Sequence, residues 1–178
     1  EKATLKAKSL VAMAISRAAL LKPLHKEHLG LNHAALIVGG GVAGMSAALV
    51  LADQGFPVVI VEQERELGGR LRNIWNAVEG GDPQVFMNSL VQRVTSHPNI
   101  EVATNSRVVK NAGSIGNFKT TIVSRDAPTQ RLIEHGIAIL ATGGQEYRGK
   151  EYLLGQDDQV ITMGDLEKKI EKKPEEIA

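Results

Sequence analysis

Cysteine is absent from the 178 residues, which removes disulfides, thiolate nucleophiles and cysteine-ligated iron–sulfur clusters from this chain. The absence is compatible with a reducing interior. An excess of one charge is also missing: 21 Lys and Arg stand against 20 Asp and Glu, with no dominant block of like sign. No electrostatic footprint for nucleic acid results. Internal repeats and low-complexity tracts are lacking as well, and 43% apolar with 23% charged residues is the balance of a folded domain rather than a disordered one. Neither a Ser, His and Asp arrangement nor paired carboxylates can be recognised, so no catalytic residue is assigned. His25, Glu27, His28 and His33 cluster without the HExxH spacing, and no metal site is assigned to them. His97 and His135 read as loop residues.

One long run lacks charge altogether, "AALIVGGGVAGMSAALVLA" from Ala34 to Ala52. Three consecutive glycines would break a membrane helix at its middle, and Asp53 follows at once, so no transmembrane segment is expected. The run divides instead into a short buried strand, a glycine turn, and a helix closed by Gly55. "PVVIVE" then adds a β-branched strand, completing a βαβ unit over residues 34–62 with a parallel pair. Parallel strands are apolar on both faces, which accounts for the missing charge.

Around this unit the chain reads as follows. Residues 1–30 hold an amphipathic helix and a linker, with Leu10, Val11, Ala14, Ile15, Ala18 and Leu21 on one side and Pro23 ending it. The scattered Lys6, Lys8 and Arg17, and the lack of a clean cleavage site, favour a helix packed on this or a neighbouring domain over a signal peptide. The missing initial Met suggests a piece of something longer. Residues 31–164 form the main domain. In it "DPQVFMNSLVQRVTSH" is a helix with Pro83 at its first position behind Asp82, and Val85, Phe86, Leu90, Val91 and Val94 near helical spacing. "NIEVATNSRVV", "NFKTTIVSRD" and "RLIEHGIAIL" are strands with turns between. Residues 165–178 are a short helix and a polar tail.

The glycines of "GGGVAG" place Gly39, Gly41 and Gly44 in a GxGxxG pattern after a strand and at the start of a helix. The three serve separate purposes, in turn a tight bend, close backbone approach to a pyrophosphate, and helix-on-strand packing. Amides near Val42 and Ala43, at the positive end of the helix, would face phosphate charge. Glu62, at the end of the second strand, can accept hydrogen bonds from ribose hydroxyls and disfavours a 2′-phosphate. These elements in order predict dinucleotide binding, with NAD and FAD both open at this point.

Further motifs follow: "ERELGGRL", with Gly68, Gly69 and Arg70, and "ILATGG", with Ala141, Thr142, Gly143 and Gly144. Together with "GGGVAG" they resemble the extended motif of the two-dinucleotide-binding-domain flavoproteins, which binds FAD. That resemblance implies a Rossmann-like three-layer α/β fold, with a parallel sheet and a small β meander between Val108 and Ile133. It also implies that the second glycine pair lies near the cofactor's diphosphate and flavin side, that Arg70 approaches its phosphates, and that the third motif passes near FAD again. "KATLKAKSLVAMAISRA", "GSIGNFKTTI" and "DDQVITMGDLEKKI" extend the likeness to the A subunit of heterodisulfide reductases and related quinone-interacting oxidoreductase subunits. The implied protein is a cytoplasmic redox subunit of a larger flavin enzyme, passing electrons between flavin and iron–sulfur partners. Any membrane association would then be peripheral, through partners. The cluster-binding inserts that many such proteins carry near the region of residues 72–135 are missing here. The alternatives are an NAD-binding half of another oxidoreductase, or a non-catalytic scaffold with the dinucleotide fold.

Overall fold

The computed structural model describes residues 2–22, 30–77, 80–127, 129–149 and 151–172. Its centre is a four-stranded parallel sheet of β1 (Ala35–Val38), β2 (Val58–Val61), β3 (Ile100–Ala103) and β7 (Ile137–Leu140), in the spatial order β3-β2-β1-β7. The strands are in step: Val38 lies opposite Val61 and Leu140, and Val61 opposite Ala103. All four therefore end at one level, and the loops that leave them gather there.

The period-2 alternation of β1 sorts its side chains between two layers. Ala35 and Ile37 face the helices α2 (Val42–Asp53) and α3 (Pro83–Ser96), in a core with Met45, Ala48, Leu49, Val58, Ile60, Leu90 and Val94. Leu36 faces the other way, onto Val61, Ile122 and Ile133. The last two belong to an antiparallel meander of β4 (Ser106–Ser114), β5 (Asn117–Ser124) and β6 (Gln130–His135). Helices, parallel sheet and meander make the expected Rossmann-like three-layer α/β domain. Leu36 and Ile37 are almost wholly buried, on opposite faces, each contributing on the order of 1.5–3 kcal/mol.

Several details differ from the sequence reading. The segment 100–108 is two strands in two sheets, parted where Asn105 takes a left-handed φ of 48° with its main-chain N–H donating to Glu64 O. His135 ends β6 fully buried rather than lying in a loop. Its Nε2 is 2.8 Å from Thr120 Oγ1, its Nδ1 is 2.9 Å from Ile137 O, and its ring stacks on Phe118. In α3, Leu90 and Val94 are buried as the spacing requires, whereas Val85 and Phe86 are exposed and Met87 takes the inward position. α1 (Lys2–Ala19) is helical, but none of its residues is buried against the described body. Its Ala-, Leu- and Lys-rich sequence favours a helix without tertiary support. The final helix, α4 (Met163–Lys172), starts just before the expected boundary at residue 165. Among the described residues no helix is long and apolar enough to cross a membrane, and no group of His, Asp and Glu is placed to hold a metal. His25, Glu27 and His28 lie outside the described residues; His33 stacks on Phe56.

Candidate dinucleotide site

The loops at the carboxyl ends of β1, β2 and β7 bring the three glycine motifs together. Gly39, with φ 113°, turns the chain out of β1, its N–H donating to Val61 O at 2.8 Å. A Cβ there would collide with the Ala141 carbonyl, so the loop after β7 lies directly against the first glycine turn. A Cβ on Gly44 would strike the Gly39 carbonyl and approach Ile37, which is the tight helix-on-strand packing expected of the third glycine. Gly68, with φ 117°, donates its N–H to Gly40 O at 2.8 Å and forms a parallel bridge with Gly41. Gly69 is as close, a Cβ on it lying 3.1 Å from Gly41 Cα. The first two motifs are thus hydrogen-bonded to one another.

Gly41 stands apart from these. Its φ of −76° suits any residue, and a Cβ added to it meets nothing within 4 Å. No contact within the described fold requires glycine there, and the side on which a Cβ would stand, away from Gly69, is open. It also caps α2 without a side-chain hydrogen bond. The first-turn N–H groups, at Val42, Ala43 and Gly44, have no intrahelical acceptor and lie at the positive end of the dipole. α3 differs, since Asp82 accepts from Gln84 N at 2.7 Å and Val85 N at 3.3 Å.

Glu62 is 7% exposed at the end of β2. Its Oε2 accepts from Gly40 N at 2.5 Å and its Oε1 from Glu64 N at 2.9 Å. Two bonds leave a carboxylate with about two further acceptor positions, so the residue can brace the glycine turn and still take hydroxyl donors. Arg70 is exposed and pairs with no described carboxylate, whereas Arg72 pairs with Glu66 and donates to Leu67 O. Thr142, Gly143 and Gly144 are exposed, and a Cβ on either glycine meets nothing within 4 Å.

The sequence reading passed over Gly40. A Cβ there would run into Leu67 and approach Glu62, and its N–H is the one Glu62 holds. The signal was present as an unbroken glycine triplet, one more than GxGxxG requires. Trp75 is half-buried beyond the Gly69–Asn73 3-10 turn, its indole Nε1 buried without an acceptor among the described residues.

Residues 37–90 match the family described as the NAD(P)-binding Rossmann-like domain. Over 123 residues, 68% of this chain, the sequence is 37% identical to a heterodisulfide reductase A-subunit-like protein of Archaeoglobus profundus. Over 124 residues it is 42% identical to an iron–sulfur A subunit of CoB–CoM heterodisulfide reductase from Methanopyrus kandleri. The chain is homologous to a segment of the heterodisulfide reductase A subunit. The match spans 18% of the length of each of these relatives. Among solved structures, L-proline dehydrogenase from P. horikoshii superposes with a TM-score of 0.55 at 25% identity, over 68% of this chain and 25% of that one. Bacillithiol disulfide reductase from Bacillus cereus gives 0.51 at 17% identity, over 62% and 40%, a likeness of fold. The matched family model, over residues 37–90, covers the first two glycine motifs and Glu62.

Proposed function

We propose that this chain is the FAD-binding segment of a redox protein like the heterodisulfide reductase A subunit, active as part of a larger flavin oxidoreductase. The observation that carries the reading is Gly41, a glycine with no internal reason to be one, at the uncapped end of α2. Such a position serves the close approach of a pyrophosphate from outside. The open space beside Gly41, the spare acceptor positions of Glu62 and the exposed Arg70 fit a dinucleotide of two phosphates and an unphosphorylated ribose.

In this reading Gly39 shapes the turn, Gly41, Val42, Ala43 and Gly44 surround the diphosphate with backbone N–H groups, and Glu62 orients the adenosine ribose. Gly68, Gly69 and Arg70 flank the phosphates on the flavin side, and Ala141, Thr142 and Gly143 border the cofactor from β7. When bound, the flavin supplies the redox chemistry; the chain supplies binding, orientation and electrostatics. No described side chain is assigned to move a proton. The Gly68–Gly69–Arg70 turn, joined to Gly40 and Gly41, supports FAD over an NAD-binding half. Electron partners are iron–sulfur subunits or domains, and the location is the cytoplasm, with any membrane contact made through partners.

Titration of the purified chain with FAD, followed by flavin fluorescence, tests this. Saturable binding at micromolar or lower concentration is expected, weakened about tenfold or more by Glu62→Ala, which removes charge-assisted hydrogen bonds of roughly 1.5–3 kcal/mol. Absence of binding by the wild-type chain would leave a scaffold domain as the better reading.

A further inference from the structure

Helix α4 is tied at two points to the loops that border the glycine cradle. At its amino end Glu146, two residues past Gly144, accepts from Gly164 N at 2.8 Å through Oε1 and from Thr162 Oγ1 at 2.8 Å through Oε2. Arg148 adds an ion pair to Asp165 at 2.7 Å. In the body of the helix Glu167 is only 8% exposed, and its Oε2 accepts the main-chain N–H of Trp75 at 3.1 Å. Trp75 follows the 3-10 turn that Gly68 and Gly69 begin, and α4 packs on that turn. A carboxylate is costly to bury, and here its partner is a backbone amide 92 positions away in sequence. Such a placement makes sense where the position of that amide matters.

We infer that α4 is a clasp for the dinucleotide site, with Glu167 and Glu146 as positioning residues. Glu167 fixes the chain leaving the Gly68–Gly69–Arg70 turn, and Glu146 fixes the chain leaving the Ala141–Gly144 turn. One rigid helix thereby sets the separation of the two turns, and neither glutamate touches the ligand. The inference rests on the FAD reading of the cradle. It explains how the chain leaving each glycine turn, beyond the contacts at Gly40 and Gly39, keeps a spacing suited to one cofactor.

Trp75 is the chain's single tryptophan, so its emission reports this contact without ambiguity. The test compares FAD affinity, Trp75 emission and thermal midpoint for the wild type, Glu167→Ala, Glu167→Gln, Thr162→Val and the exposed control Lys168→Ala. Glu167→Ala is expected to weaken FAD about tenfold and change Trp75 emission. Glu167→Gln, which retains a carbonyl acceptor, should stay within about threefold of wild type. Thr162→Val should lose a few-fold through the other tie, and keeps the test open if Glu167→Ala fails to fold. Lys168→Ala should change nothing. Wild-type affinity in both Glu167→Ala and Thr162→Val would overturn the clasp, as would a Glu167→Gln variant no better than the alanine. Failure of the wild type itself to bind FAD would instead overturn the cofactor reading.

Discussion

Of the four glycines of the first motif, Gly39, Gly40 and Gly44 are required by contacts within the fold, and Gly41 is proposed to answer to the ligand. Gly44→Ala places a methyl group on the Gly39 carbonyl, so it should lower the thermal midpoint and cofactor affinity together. Gly41→Ala meets no atom within 4 Å and keeps an ordinary φ. It should leave the thermal midpoint within about a degree or raise it slightly, by reducing unfolded-state freedom. FAD affinity should nevertheless drop at least tenfold, because the methyl stands where phosphate would come. Calorimetric unfolding beside an FAD titration separates the two behaviours, and an equal loss of stability in both variants would count against a ligand-facing Gly41. The motif's spacing was legible in the sequence. So was the separate task expected of each glycine; the wall that Ala141 sets against Gly39 was not, because that contact joins residues about a hundred positions apart.

At the level of elements, short-range patterns located most helices and strands, and their limits have local physical causes. The Asp82–Pro83 pair marked the start of α3 because its cap and its first-position proline act within one turn. Asp82→Ala should therefore cost about 1 kcal/mol, seen as a lower urea midpoint with an unchanged slope. An unchanged midpoint would mean that water caps the helix equally well. The break between β3 and β4 gave no such signal. It depends on Asn105 accepting a left-handed conformation, with its side chain donating to Asp126 and its N–H to Glu64, contacts that alternation cannot report. The apolar side of α1 was equally visible as a pattern, yet a pattern names no partner. Within the described body, none of that side is covered.

For the whole molecule, the meander and the parallel sheet meet at His135, where the last meander strand passes into β7 through Gly136. Burial pushes the imidazole below its usual range, against a smaller opposing effect from the Ile137 carbonyl. A lowered histidine pKa means that the unfolded chain takes up this proton first as pH falls. The contribution to stability is thus complete above about pH 6.5 and is lost progressively below it, until the folded imidazole also protonates. Urea unfolding at pH 7.5 and pH 5.5 should show a larger loss for the wild type than for His135→Gln. Equal losses would show that the carboxylates account for all of the acid sensitivity.

The parallel sheet has a further consequence for the order of assembly. β1 pairs with β2 across a short crossover, but its other neighbour, β7, is about a hundred residues downstream. Contacts across such a loop form late, since the closure entropy must be met before the pairing repays it. On the ribosome the first glycine turn therefore emerges long before the wall that Ala141 provides. A nascent chain halted between Arg70 and β7 would display the first two glycine motifs in full and still lack the side of the cradle that Ala141 supplies.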